Sequence, residues 1–130
     1  MSNIFDQLGG LSAIKSLVNE FYDVMESDPC AKELRDLHPK KLISTRKNLY
    51  RFFSHWFGGP EIFNEKYING EWLELRHSRV EFSESLIQQW IYCMQTALIN
   101  LNVENEVKDN VMSAFKRMIE DIKVVRNSLK

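Results

Sequence analysis

Two cysteines, Cys30 and Cys93, are all the chain contains. They have neither the spacing of a zinc site nor the density of a disulfide framework, and so point to a reducing compartment, the cytoplasm. No segment approaches the ~20 consecutive apolar residues that cross a bilayer. The start, Met1-Ser2-Asn3-Ile4-Phe5-Asp6, lacks the basic residues and apolar run of an export signal. The chain is therefore expected to be neither membrane-embedded nor exported by such a signal. Neither sign of charge dominates: 17 basic and 18 acidic residues give a net charge of −1, which argues against a dedicated nucleic-acid binder. Strand-like alternation, internal repeats and low-complexity stretches are also missing. So are a Gly-rich phosphate loop, a His-Glu-x-x-His zinc motif, a nucleophile elbow, and any motif for flavin or nicotinamide.

What is present is helical periodicity over 130 residues, read as a single domain covering 1–130, long enough to bury roughly two-thirds of its unfolded surface. From Ile14 the apolar positions run Leu17, Val18, Phe21, Tyr22 and Met25, the i, i+3, i+4, i+7 progression of one helix face. Gly9-Gly10 stops what precedes it and Asp28-Pro29 ends it. A short helical piece is expected from Cys30 to Leu37, before His38-Pro39. The next helix carries Leu42, Thr45, Leu49, Phe52, Phe53 and Trp56 on one side and stops at Gly58-Gly59-Pro60. From Pro60 to Phe82 the pattern loosens into a loop-rich segment with an Asn69-Gly70 turn and one short helix ending near His77. Ser83 then has the character of an N-cap, followed by Leu86, Trp90, Cys93, Met94, Ala97, Leu98 and Leu101. Asn102 closes that helix, and a last one carries Val107, Val111, Ala114, Phe115, Met118, Ile119 and Ile122. The fold class is all-α.

His77 is the residue with the most to explain. It follows Leu75-Arg76, between strongly apolar helices. An imidazole that can bind a metal, beside a guanidinium that can meet a propionate, suits an iron porphyrin; a histidine with no ligand is the plainer reading. The apolar faces also hold polar groups. Tyr22 is in register with Val18 and Met25, Thr45 with Leu49 and Phe52, and Trp90 with Leu86 and Met94. Two hydroxyls and an indole N–H from three helices could meet one polar ligand, or each could meet an ordinary protein partner.

Taken together, Leu8-Gly9-Gly10, Phe21-Tyr22, Leu37-His38-Pro39, Trp56-Phe57-Gly58-Gly59-Pro60, Leu75-Arg76-His77, Gln89-Trp90 and Cys93-Met94 resemble the group II truncated haemoglobins in order and spacing. The resemblance implies a two-over-two helical sandwich around haem b, iron protoporphyrin IX, with His77 as the proximal iron ligand and Arg76 on the propionate side. Tyr22 and Trp90 would be distal donors to a diatomic ligand. Bound dioxygen carries partial negative charge, so an aimed O–H or N–H slows its loss. Thr45 would stand where longer globins place a distal histidine and leave an entry route. Leu49 and Phe52 would line the distal wall, Val80 and Phe82 the proximal side, and Met94 and Met118 the buried haem edge. Core packing is the simpler role for all of these apolar residues.

The chain departs from the family pattern in three places. His38 occupies a pocket position that also takes Phe or Tyr; it would join the distal hydrogen bonds, bind the iron as a sixth ligand, or lie exposed beside Pro39. Phe63 stands where a tyrosine is common and Asn48 where a basic residue is, with Lys47 a substitute for the propionates. The stretch Tyr67-Ile68-Asn69-Gly70-Glu71-Trp72 replaces the usual Gly-His-Pro linker.

His55 falls roughly 90° off the apolar face at ~100° per residue and is expected to face solvent. Lys40, Lys41, Arg46, Lys47 and Arg51 form one basic cluster, and Lys116, Arg117, Lys123 and Arg126 another. Both read as solvated faces, or as docking patches for a reductase. Cys93 reads as an inert core thiol. The expectation is a cytoplasmic, monomeric or homodimeric protein that binds dioxygen, and other diatomics such as NO or CO, at haem iron. Two donors holding dioxygen suit oxygen transport less well than nitric-oxide dioxygenation or a peroxidase-like reaction fed by a separate reductase. A haem-free helical interaction module is the alternative.

Overall fold

The glycine pair at Gly9-Gly10 divides the N-terminal region as its chemistry requires. Helix α1, Ile4–Leu8, is capped by Asn3, whose Oδ1 accepts the Asp6 N–H at 2.8 Å. It ends in a Schellman turn: Gly9 has φ of +115°, and the Gly9 and Gly10 N–H groups return to the Asp6 and Phe5 carbonyls. The computed structural model describes residues 3–59 and 83–128, of which Ile122 and 124–128 as backbone only.

Helix α2, Leu11–Ser27, buries Ile14, Leu17, Val18, Phe21, Tyr22, Val24 and Met25, the face that its periodicity marks out. The Asp28 carboxylate accepts the Cys30 N–H at 2.9 Å, and Pro29 opens a 3-10 turn, Pro29–Ala31. Where one short helix is expected, the chain makes this turn and then α3, Lys32–Asp36. Helix α4 runs over Ile43–Trp56. Helix α5, Glu84–Asn100, begins as Ser83 predicts, with the Ser83 hydroxyl accepting the Leu86 N–H at 3.1 Å. It ends in a second Schellman turn with Asn102 at φ +56°, the Val103 and Asn102 N–H groups reaching the Leu98 and Ile99 carbonyls. Leu101 therefore leaves the buried stripe and is exposed, because the chain has already turned there. Helix α6 is Asn105–Ser128.

Among the described residues there is no strand, and the helices form two pairs. Helix α2 packs on α4 and across α5, while α5 packs on α6; α1 rests on α6 and α2, and α3 on α2 and α5. A single apolar cluster lies between them, with Phe52, Phe53, Met94, Leu98, Phe115 and Ile119 almost wholly buried. No described helix is long and apolar enough to cross a membrane.

The far end of α4 is tied to α1 by backbone as much as by side chains. The Phe5 N–H donates to the Phe57 carbonyl at 2.9 Å and the Asn3 amide to the Gly58 carbonyl at 3.0 Å. Gly59, whose N–H donates to the Ser54 carbonyl at 2.8 Å, sits so close that a Cβ there would meet the Phe5 ring and lie 2.5 Å from that carbonyl. Above this junction Phe53, Phe57, Trp56 and Phe52 stack along the helix end, Phe53 on Phe57 at 4.8 Å between centroids. Gly59→Ala is expected to lower stability by about 1–3 kcal/mol, read as a shift in the urea midpoint. An unchanged midpoint would show that α1 can retreat without cost.

Candidate functional site

Tyr22 is buried on the fourth turn of α2, 5% exposed. Its ring meets Phe21 edge-on at 5.0 Å and the His38 ring edge-on at 5.9 Å. The Arg46 guanidinium lies over it, 5.7 Å from the ring centroid. A phenol here is surrounded by an aromatic edge, an imidazole and a cation.

His38 is half-buried and held by its own backbone: Nδ1 is 2.9 Å from the Leu34 carbonyl. A carbonyl can only accept, so Nδ1 carries the proton and the neutral ring's basic nitrogen is Nε2. The α3 segment that places His38 is in turn capped from a distance. No α3 side chain caps its start, but Gln89 of α5 accepts the Leu34 N–H through Oε1 at 2.9 Å. The Gln89 amide donates to Ser85 and Glu33 at 3.1 and 3.3 Å. Gln89 thus ties α5 to the backbone one turn before His38. Sequence alone carries no sign of that task.

Trp90 is the next residue, 7% exposed. It packs tilted against Phe115 of α6 at 6.2 Å, and Phe21 packs edge-on against the same ring at 6.0 Å. Tyr22, Trp90, Met94, Met118 and Phe52 all belong to one apolar cluster, with Leu49 partly buried against it. Thr45 is half-buried and Lys47 exposed on α4, as is Asn48 in part. The structure thus brings Tyr22 and His38 together and gathers Trp90 with the apolar wall in the same core. His77, Arg76, Val80, Phe82 and Phe63, with the linker 67–72, lie outside the described residues.

Two surface expectations change. His55 does not simply face solvent: it is half-buried, and its Nδ1 is enclosed without a hydrogen-bond partner among the described residues. Arg46 is not part of a solvated basic face. Its guanidinium crosses to α2, donating to the Asn19 carbonyl at 2.9 Å and to Asp23 Oδ1 at 2.8 Å.

A phenol, an indole N–H and an imidazole of fixed tautomer, set in an otherwise apolar cluster, are the donor set that suits a porphyrin carrying a small polar gas ligand. The comparisons with known proteins agree. A model of the bacterial-like globin family matches residues 3–124. This chain is a bacterial-like globin. It is 25% identical over 100 residues, 77% of this chain and 73% of the relative, to the group 2 truncated hemoglobin YjbI of Bacillus subtilis. It superposes with a TM-score of 0.83 on the cold-adapted truncated hemoglobin of the Antarctic marine bacterium Pseudoalteromonas haloplanktis TAC125. That pair is 32% identical, over 93% of this chain and 97% of the other. The group II 2-on-2 hemoglobin of Agrobacterium tumefaciens gives a TM-score of 0.84 at 20% identity, over 94% of each chain, a likeness of fold. The globin is thus a truncated haemoglobin of the group II kind, with the two-over-two helical fold and a haem cofactor, and it binds dioxygen.

Its two thiols differ sharply. Burial, with the charge of Asp28 adding to it, pushes the Cys93 thiol up to about 12. Cys30 is exposed, its thiol raised by a hydrogen bond to Asp28. Asp28 itself is lowered, first by the Tyr92 hydroxyl that donates to it at 2.6 Å and then by the Cys30 N–H. At pH 8 a disulfide reagent should titrate one thiol in the native globin, Cys30, and the second only after denaturation. Two rapid equivalents in the native state would contradict the packing around Cys93.

Proposed function

We propose that this globin holds dioxygen for reaction rather than transport, as an oxygen-dependent nitric-oxide dioxygenase or a peroxidase-like protein of the cytoplasm. The whole chain acts as one domain. The observation that carries this reading is the buried Tyr22 phenol set edge-on to His38 in the core that also holds Trp90. Two hydrogen-bond donors in a dry pocket favour retention of a partly anionic ligand over its release.

When bound, the haem supplies a ferrous iron that takes a diatomic gas. His77 would hold that iron from the proximal side, and Arg76 and Lys47 would meet the propionates. Tyr22 would donate its O–H and Trp90 its indole N–H to that gas. His38, with Nδ1–H bonded to the Leu34 carbonyl, offers Nε2 to the same network and keeps the phenol oriented. Thr45, small and half-buried, leaves the entry route open beside Leu49 and Phe52. Val80 and Phe82 would contribute to the proximal side, as the family resemblance implies, and Met94 and Met118 would contact the haem's buried edge. The sequence has no flavin or nicotinamide motif, so a separate reductase supplies the electrons.

Tyr22→Phe keeps the haem and raises the dioxygen dissociation rate by roughly tenfold, the scale of one lost hydrogen bond to a charged acceptor; stopped-flow displacement by carbon monoxide reads it. An unchanged rate would remove Tyr22 from the ligand's surroundings. Mixing the oxygenated globin with nitric oxide should yield stoichiometric nitrate. If the oxygenated form survives the nitric oxide pulse, the dioxygenase reading fails.

A further inference from the structure

Arg46 makes contacts that neither haem binding nor the fold's apolar packing calls for. It stands next to Thr45 on α4, with its side chain 22% exposed. From there its guanidinium spans successive turns of α2. Nη1 donates to the Asn19 carbonyl at 2.9 Å and lies 3.4 Å from the Asn19 side-chain oxygen. Nη2 donates to Asp23 Oδ1 at 2.8 Å and stands 3.9 Å from Glu26 Oε1. Asn19, Asp23 and Glu26 are spaced i, i+4, i+7 on one side of α2, and Tyr22 lies between them. With the guanidinium anchored at those points, its carbon rests 5.7 Å from the Tyr22 ring centroid.

The anchor extends to the other ring. Glu26 also accepts from Arg35 Nη2 at 3.2 Å, and Arg35 donates to the Pro39 and Lys40 carbonyls at 3.0 and 2.8 Å. Those carbonyls belong to the loop that carries His38. Arg35 therefore fastens the loop bearing His38 to α2, which bears Tyr22, and Arg46 ties α4 to the same helix at the shared Glu26. Arg is suited to this because its planar fork binds several acceptors at once and still offers a face to an aromatic ring.

We propose that Arg46 is the positioning residue of the distal tyrosine: it clamps α4 to α2 across Tyr22 and restrains the phenol ring, and through that ring it sets how long dioxygen stays. This rests on Tyr22 being a donor to the ligand, and the test separates the two claims. In the haem-loaded protein, Arg46→Met removes the fork and the charge at similar length, while Arg46→Lys keeps the charge but not the multiple anchoring. Three readouts apply: the dioxygen dissociation rate, the C–O stretching band of the carbon monoxide complex, and the Tyr22 ring-flip rate by NMR of that diamagnetic complex.

Arg46→Met should raise the dissociation rate roughly fivefold, broaden or split the C–O band and speed the ring flip, with Arg46→Lys between it and the parent. In the Tyr22→Phe background the same substitution should leave rate and band unchanged. Equal effects with and without the phenol would overturn the positioning role and make Arg46 a general structural tie. So would an unaltered rate and band in Arg46→Met where Tyr22→Phe alone accelerates release. If Tyr22→Phe itself changes nothing, the donor reading falls first and the positioning role with it. Should Arg46→Met fail to fold, the lysine variant decides by the same comparisons.

Discussion

Helix α2 must satisfy three neighbours at once, and the remainder of the molecule is arranged around that demand. Its apolar face is so wide that α4 and α5 can both pack on it, while α3 and its leading 3-10 turn close the C-terminal end. Burying a Val, Leu, Ile, Phe or Met side chain contributes about 1.5–3 kcal/mol, so a helix with seven buried residues anchors its partners without help from charge pairs. Tyr22 is the polar exception within that face. Its position is therefore inherited from the packed core.

The polar contacts then adjust what the apolar packing only approximates. Gln89 caps α3 from α5, His38 is pinned to the Leu34 carbonyl, and Arg35 and Arg46 share Glu26. Apart from the local His38 bond, each contact is made by a side chain from one element to the backbone or side chain of another. Such contacts add little to stability when exposed, but they fix orientation, which decides whether an O–H points at a ligand. In this two-over-two globin Tyr22, His38 and Trp90 come from different segments, and these cross-links help to keep those segments in register.

How far the sequence could be read follows from the range of the interactions involved. Local signals were legible: the face of α2, the Gly9-Gly10 break, the Ser83 cap and the Asn102 stop are set by residues within one or two turns. The shared core of Tyr22, Trp90 and Phe52 could be inferred from register. Long-range polar pairing was not legible. Arg46 sits among Lys40, Lys41 and Lys47 and has the pattern of a solvated face. Its acceptors lie 20–27 residues earlier and oppose it only once α2 and α4 have packed. Angle alone assigned His55 to solvent, but a position 90° from the core can still be partly covered when neighbours flank a helix on more than one side.

The junction between α1 and the Phe57-Gly58-Gly59 corner has a consequence for folding. Asn3 and Phe5 bond to partners more than fifty residues further along the chain, and Gln7 meets Asn110 of α6. Five residues are too few for a helix to persist alone in water. Helix α1 therefore owes its persistence to partners distant in sequence, and its docking belongs to the assembly of the whole body rather than to a local step. Its Schellman turn and glycine seat act as a latch on that body.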